Sequence, residues 1–372
     1  VQAVFAAAVI GYSQWIMRRL CAPVWLRALS LALCAFAPVY CDNITVILKD
    51  VPYSYAMLLM LCEMVRQRFL EKESDGFGAG FVLRMTLSAF LMLRMRPNGA
   101  MVWIPICAAL FLGTRRKRRA AIAAVAALPF LLGAGFDAAF DARFHPQAAS
   151  LGEALSLPFQ QTARCLLAYP DDVTESELRA VSAVLDVENG VPNYDPRLAD
   201  PVKDTSSPDL SGRLGPYMKA WLSMGMRHPG VYLDAWLNMI YGYFYPSDSN
   251  TIVCLTLNSP DAGGVALRQS PALSDARLEL HNRIYFTLRR IPGVGWLFYV
   301  DSVVWVFLLL LAALVLRDGL RAAVPYMFFF GTLGICLLSP KSGEIRYLMP
   351  ILYILPVMLG AALLSPRKEE KP

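Results

Sequence analysis

Charged residues at the ends of apolar segments are the first candidates for chemistry in this sequence. Residues 49–53 read Lys-Asp-Val-Pro-Tyr, and Asp42 lies shortly before them. Because proline is favoured in the first turn of a helix, Asp50 is predicted to stand at a helix N-terminus. One interpretation is that Asp50 only caps this helix. The other is that Asp50, with Asp42 as a second candidate, is a general base for an acceptor hydroxyl or holds a divalent metal ion. Lys49 would then bind a substrate phosphate.

Two arginines form the second candidate group. Residues 94–99 read Arg-Met-Arg-Pro-Asn-Gly, between two apolar segments. Arginine binds phosphate through a planar fork of N–H donors, so Arg94 and Arg96 are candidates for a phosphate site. The alternative is that both side chains extend to the membrane surface beside a Pro-Asn-Gly turn.

A third group precedes the last apolar segment. Lys341, Glu344 and Arg346 lie within the stretch Ser-Pro-Lys-Ser-Gly-Glu-Ile-Arg-Tyr at residues 339–347. Lys341 and Arg346 could hold a phosphate, and Glu344 could pair with either of them. The alternative is a solvated loop with a local ion pair, which contributes little stability.

The segments that must position these residues are strongly apolar. The chain is 56% hydrophobic and 17% charged, with a mean hydropathy of +0.44. Soluble domains average about 45–50% apolar and about 25% charged residues. The apolar residues occur in blocks close to the ~20 residues that cross a bilayer. We therefore predict an all-α polytopic membrane protein with about nine transmembrane helices. These are placed at residues 1–17, 24–41, 51–66, 78–95, 99–113, 120–138, 294–316, 322–338 and 345–364.

Lysine and arginine clusters predict the orientation. They follow spans one, three, five, seven and nine, which the positive-inside rule places in the cytoplasm. The N-terminus of this chain is then on the non-cytoplasmic side of the membrane and the C-terminus is cytoplasmic. The predicted domains are residues 1–139 with spans one to six, residues 140–293 as a large, mainly helical extracytoplasmic region, and residues 294–372 with spans seven to nine and a tail. The clusters suit lipid headgroups, and no nucleic-acid partner is predicted.

Ionisable residues inside spans are also functional candidates. Glu63 and Arg84 lie within spans three and four, where burying a charge is costly. The chain begins at Val1 within an apolar run and without a charged n-region. This beginning indicates a fragment or a processed product rather than a signal peptide.

The large hydrophilic region carries aromatic helices and two cysteines. Residues 214–227 and 231–245 are predicted as amphipathic helices hinged at His-Pro-Gly, with Trp221 and Trp236 at the membrane surface. The alternative is an ordinary aromatic core. Cys165 and Cys254 could form a disulfide, and the sequence leaves this open. The cysteines and histidines show no zinc-binding spacing, so no metal site is assigned to them.

Three segments resemble their counterparts in GT-C glycosyltransferases of the mannosyl- and aminoarabinose-transferase kind. They are residues 49–53, the Arg-Pro-Asn-Gly turn at 96–99, and Arg-Tyr-Leu-Met-Pro at 346–350. The resemblance implies a location in the bacterial cytoplasmic membrane, a polyprenyl-phosphate-sugar donor held in the bilayer, and transfer on the external face. In these enzymes an acidic residue follows the first span. We expect this chain to begin downstream of that position, and Asp50 resembles a second acidic position.

The hydrophilic region is similar to an uncharacterised bacterial family that carries a domain of unknown function. The similar pieces are residues 158–164, 200–203, 228–232 and 242–245 with the following proline. Within them, Arg164, Lys203 and His228 are the candidates, together with Glu344, for contacts to an acceptor or between loops.

These observations predict an integral membrane glycosyltransferase that moves a sugar from a polyprenyl-phosphate donor to an acceptor on the extracytoplasmic face. A carboxylate would take the acceptor proton while Arg and Lys neutralise the phosphate leaving group. The alternatives are a lipid-linked glycan ligase or polymerase, a transporter or flippase, and a non-catalytic membrane protein. A transporter typically has two matching halves with interrupted spans, and the sequence shows no such repeat. The sugar, the acceptor and the oligomeric state are left open.

Overall fold

Helices dominate the part of the chain that the computed structural model describes. The described residues are 1–36, 40, 44, 48–70, 78–113, 119–145, 151–210, 212–245, 261–262, 265–266, 275–295 and 299–363. They fall into two units. The first unit takes its residues from 1–139, 250–333 and 345–372, and the second from 140–249 and 334–344. The sequence-based division instead kept 140–293 together.

Within the described ranges, the helices follow one another along the chain, and one pair of two-residue strands lies between the eleventh and twelfth helices. Their bounds are α1 Gln2–Arg19, α2 Val24–Phe36, α3 Asp50–Phe69, α4 Ala79–Met95, α5 Ala100–Gly113, α6 Arg119–Phe144, α7 Ser156–Ala168, α8 Glu175–Ser182, α9 Asp200–Lys203, α10 Leu214–Arg227, α11 Pro229–Ile240, α12 Asp275–Arg290, α13 Val300–Asp318, α14 Phe328–Leu337 and α15 Ile345–Leu363. The strands β1 Asp261–Ala262 and β2 Val265–Ala266 pair antiparallel.

A helix overlaps each predicted span, although the helix of span two ends at Phe36, that of span seven begins at Val300, and the eighth span is divided. Gly319, in the left-handed conformation with φ 79°, ends α13, and residues Leu320–Tyr326 form a 3-10 helix that contains Pro325. Proline has no N–H to donate and clashes with the preceding turn, so it interrupts an α-helix. Only Phe328–Leu337 continues as α14.

Among the residues that the structure describes, two helices are long and apolar enough to cross a membrane by length and composition. They are α6, with mean hydropathy 1.8 over its best window, and α15, with 1.6. Helix α15 is mostly buried among α1, α3 and α13, whereas α6 is mostly exposed. Whether all nine segments cross a membrane stays a prediction.

Close helix packing in the first unit depends on aromatic and small residues. Tyr55 of α3 and Tyr353 of α15 stack with ring centroids 4.6 Å apart. At Gly331 of α14, a Cβ atom would lie 2.6 Å from the Cα of Val102 in α5, which is too close for any side chain. Small residues permit such backbone approach between helices.

The second unit has its own core, built by α7, α8, α10 and α11. Phe159 and Tyr217 pack edge to face, and the Tyr217 hydroxyl lies 3.0 Å from Thr162 Oγ1. Trp221 Nε1 donates to Gln161 Oε1 at 3.1 Å. The predicted helix 214–227 is confirmed with the same bounds, and its aromatic residues contribute to this core.

Candidate functional site

Asp50 and Arg96 form a buried ion pair in the first unit. Asp50 is the first residue of α3, and Arg96 is the residue at which α4 ends. Arg96 Nε contacts Asp50 Oδ1, and the two side chains are only 9% and 2% exposed. The carboxylate therefore pairs with an arginine, and no side-chain hydrogen bond caps α3. Each charge would cost several kcal/mol if buried alone, so each depends on the other.

Two tyrosine rings enclose the Arg96 guanidinium. Its Cζ lies 4.6 Å from the ring centroid of Tyr347 and 5.8 Å from that of Tyr53. Tyr53 is one turn after Asp50 on α3, and Tyr347 is in the first turn of α15. Aromatic faces attract a cation, and more strongly where water is excluded. The site thus joins three segments that are far apart in the sequence.

The exposed cations beside this pair come from the same segments. Lys49 immediately precedes α3, and Arg346 immediately precedes Tyr347; both side chains are exposed. Of the predicted phosphate-binding residues, Lys49, Arg96 and Arg346 therefore lie on the backbone segments that form the ion-pair site. Asp42, the second predicted carboxylate, lies outside the described residues.

Arg94 has a different partner. It pairs with Asp137 of α6 and lies against Gly133, where a Cβ atom would be 3.0 Å from its Nη2. Residues two apart on a helix do not share a face, which is why Arg94 and Arg96 separate. The two arginines do not act as one fork. Asp137 was not identified from the sequence. Its position as an acidic residue inside an apolar helix is the signal that could have identified it.

Lys341 and Glu344 belong to the second unit and pair with each other. Lys341 Nζ lies 2.9 Å from Glu344 Oε2, and Glu344 is buried. Their loop is held by backbone bonds from Ala199 N to Pro340 O at 2.7 Å and from Ser342 N to Arg197 O at 2.9 Å. This arrangement favours the local ion-pair interpretation of this loop. That interpretation assumed a solvated loop. The loop instead packs against the second unit, to which it belongs.

The predicted acceptor or loop contacts in the second unit also have partners. Arg164 pairs with Asp234. Lys203 Nζ lies 2.8 Å from Asp200 Oδ1 and 3.0 Å from Glu153 Oε1. Burial by itself would lower the pKa of Lys203, but these two carboxylates outweigh it and raise the pKa. Lys203 therefore links two segments of the second unit through its ion pairs with Asp200 and Glu153.

His228 marks the break between α10 and α11. Its ring stacks on Tyr169 with centroids 4.1 Å apart, and its Nε2 lies 3.3 Å from Asp172 Oδ2. The residue leaves helical geometry, with φ −124° and ψ 57°. It therefore orients the hinge that the sequence predicted.

A family comparison covers nearly the whole chain. Residues 1–371 match the profile of DUF6020, a family of unknown function. The chain belongs to the DUF6020 family. No curated protein and no solved structure matches it. Because the match includes both units, the ion-pair site and the hydrophilic helices are parts of one DUF6020 sequence.

This DUF6020 chain contains a second buried carboxylate in its helical first unit. Glu63 of α3 accepts a hydrogen bond from the Tyr12 hydroxyl at 2.5 Å, and its other oxygen lies 2.8 Å from Arg84 Nε of α4. Helices α3 and α4 are thus joined by one carboxylate–arginine pair near each end. Glu63 and Arg84 were noticed in the sequence as intramembrane charges, but their pairing was not predicted.

The candidate disulfide and the candidate metal ligands of the DUF6020 chain involve residues that the structure describes only in part. Cys165 is a free, buried thiol in the core of the second unit, and burial raises its pKa. Cys254, with which the sequence left a disulfide open, lies outside the described residues. Within the described part of the chain, no group of three His, Cys, Asp or Glu side chains could hold a metal ion.

Proposed function

We propose that this DUF6020 chain is a multi-pass membrane glycosyltransferase that moves a sugar from a polyprenyl-phosphate donor to an acceptor on the extracytoplasmic face. The observation that carries the proposal is the buried Asp50–Arg96 pair between Tyr53 and Tyr347. Such a pair contains both groups that the reaction needs, a carboxylate for a proton and a guanidinium for a phosphate.

Exposed apolar side chains support a membrane location for the first unit. Leu131 on α6, Leu309 on α13 and Leu83 on α4 are 66%, 68% and 58% exposed. Soluble monomers rarely display such side chains in large contiguous patches, whereas lipid tails would cover them. We propose nine spans, with the N-terminus of this chain outside and the C-terminus in the cytoplasm.

The second unit has features of a surface that lies against lipid. Helix α10 exposes Leu222 and Met226, which are one turn apart, and α11 likewise exposes Leu233 and Leu237. The indole N–H groups of Trp221 and Trp236 are bonded within the unit. The proposed interfacial contact therefore rests on these leucine and methionine side chains rather than on the tryptophans.

The donor phosphate would compete with Asp50 for Arg96. Binding of the phosphate to the guanidinium fork releases the carboxylate, and Lys49 and Arg346 add positive charge from the same segments. Asp50 then accepts the proton of an acceptor hydroxyl as its oxygen attacks the anomeric carbon. The anomeric carbon–phosphate oxygen bond breaks, and polyprenyl phosphate leaves with both electrons of that bond.

Donor consumption tests the proposal. Membranes containing the chain are supplied with polyprenyl phosphates carrying different labelled sugars, and the released lipid phosphate is measured by mass spectrometry. We expect Arg96→Lys to reduce consumption at least 100-fold, because a lysine cannot reproduce the planar fork. Arg94→Lys is the matched control and should stay within about twofold, since Arg94 pairs with Asp137.

Two outcomes would contradict the transferase proposal. One is that no polyprenyl-phosphate sugar is consumed by the unmodified chain. The other is equal loss for Arg96→Lys and Arg94→Lys, which would mean that the buried pair has no special role. Consumption of polyprenyl-diphosphate oligosaccharides alone would identify a glycan ligase instead.

The proposed orientation has a separate test. Cysteines introduced at Asp204, whose side chain is 71% exposed, and at Lys117 are treated with a membrane-impermeant maleimide in intact cells. We expect labelling at position 204 only, and labelling at both positions after permeabilisation. The unmodified chain measures the background from native thiols such as Cys21. Labelling at position 117 in intact cells with protection at 204 would reverse the orientation.

A further inference from the structure

A cleft of about 480 Å³ opens on the second unit between α7 and α11. Its size falls within the range of about 300–1,000 Å³ that is usual for ligand sites. Its walls combine one ion pair, two tyrosines and the first turn of α11. They are formed chiefly by Arg164, Tyr169, Tyr194, Gly230, Val231 and Asp234.

The ion pair of the cleft keeps free bonding capacity. Arg164 and Asp234 pair across the two helices, yet their side chains are 31% and 48% exposed. Asn238 Nδ2 donates to Asp234 Oδ1 at 3.2 Å and thereby orients the carboxylate. A guanidinium has five N–H donors and a carboxylate about four acceptor positions, so these contacts leave several donors and acceptors available.

The charge balance of the cleft selects against ionic ligands. Arg164 is neutralised by Asp234, and Asp195 is close enough to Tyr194 to interact with it electrostatically. An anion would meet these carboxylates, and a cation would compete with Arg164 for Asp234. A neutral ligand with many hydroxyl groups can instead donate to the carboxylate and accept from the guanidinium at the same time.

The tyrosines supply apolar ring faces and hydroxyl groups. Tyr169 is 43% exposed, and its ring is held by stacking on His228 at 4.1 Å. The Tyr194 hydroxyl is buried with no hydrogen-bond partner among the described residues, and it lies close enough to Arg164 to interact with it electrostatically. A pyranose ring has an apolar C–H face and a polar rim, so it matches a tyrosine ring beside paired donors and acceptors.

We infer that this cleft binds a neutral, hexose-containing oligosaccharide. Its assignment as the acceptor subsite rests on the proposed transferase function. The binding of saccharide does not, because every group that the argument uses lies within the second unit.

Two glycines permit a matched test. Gly230 and Gly215 are each the second residue of a helix, α11 and α10, and a Cβ atom at either would have nothing within 4 Å. The Cβ atom of a leucine therefore meets no clash at either position, but only position 230 belongs to the lining of the cleft. Gly230→Leu should block the cleft, and Gly215→Leu is the control.

The experiment uses the full chain in lipid nanodiscs and an array of oligosaccharides. The neutral probes are mannose, glucose, galactose and N-acetylglucosamine oligomers, and the anionic probes are galacturonate oligomers. We expect retention of at least one neutral series, a loss of at least tenfold for Gly230→Leu, and a change within twofold for Gly215→Leu. The inference is overturned by retention of anionic probes alone, by no retention of any neutral probe, or by equal binding of the two variants.

The array requires no donor, which separates this inference from the transferase proposal. Saccharide retention without donor consumption would contradict the transferase and leave the cleft assignment standing. Donor consumption by a chain that retains no saccharide would contradict the cleft assignment alone.

Discussion

Replacing Asp50 by asparagine should destabilise the chain by about 3–5 kcal/mol, because Arg96 would remain buried without a counter-charge. Both side chains are withdrawn from solvent, and Arg96 is enclosed by Tyr53 and Tyr347. Thermal unfolding of the chain in nanodiscs would measure the loss.

The double variant Asp50→Asn with Arg96→Gln separates stability from chemistry. It removes both charges and leaves two amide side chains that can hydrogen-bond to each other, so we expect most of the stability to return. Donor consumption should be abolished in both variants, because both lack the carboxylate. The double variant also lacks the guanidinium. A double variant as unstable as the single one would show that the pair is not energetically coupled. A double variant that consumes donor at the unmodified rate would exclude Asp50 as the base.

Acidification should remove a specific contribution from the second unit. Arg227 holds both oxygens of Glu177 at 2.8 and 2.6 Å, and the backbone N–H of Thr174 donates to the same carboxylate at 3.0 Å. The bond from Arg227 is the main cause that lowers the pKa of Glu177 from 4.5 to about 2, against an opposing effect of burial. The stabilisation is therefore complete above pH 4.5 and is lost as the pH falls toward about 2.

Glu177→Gln tests this pH dependence. At neutral pH it should cost about 1.5–3 kcal/mol, which is the range for hydrogen bonds to charged groups. Below about pH 2 the variant and the unmodified chain should converge, and tryptophan fluorescence during thermal unfolding would follow both. Glu175→Gln, at an exposed acid of the same helix, is the control and should change stability by less than about 0.5 kcal/mol. Parallel pH profiles for the unmodified chain and Glu177→Gln would contradict the assignment.

The sequence predicted the helices because their signals are local. Apolar blocks, Pro52 in a first turn and the break at His228 all act within a few residues of where they stand. For that reason α10 has the predicted bounds, and α3 begins at the predicted carboxylate. An apolar sequence does not by itself predict a continuous helix. In the eighth predicted span, the apolar segment includes Pro325, and a 3-10 helix replaces the first part of the α-helix.

Residue chemistry in the sequence also marked much of the candidate site. Asp50, Arg96 and the segment of Arg346 stood out as charges at the ends of apolar helices, and the structure joins their segments at one ion pair. The shared site with Lys341 stays a prediction. So do Asp42 and the orientation of the chain in a membrane.

The partners of these charges were decided only by the tertiary structure. Arg94 and Arg96 are nearly adjacent, yet one pairs with Asp137 and the other with Asp50. The direction of a side chain at a helix end depends on which helices pack beside it, and several acids were available to each arginine. The sequence by itself thus determined where the helices lie and which charges stand at their ends. Only packing decided which opposite charge each meets, because an ion pair forms between atoms a few ångströms apart and not between neighbouring positions in a chain.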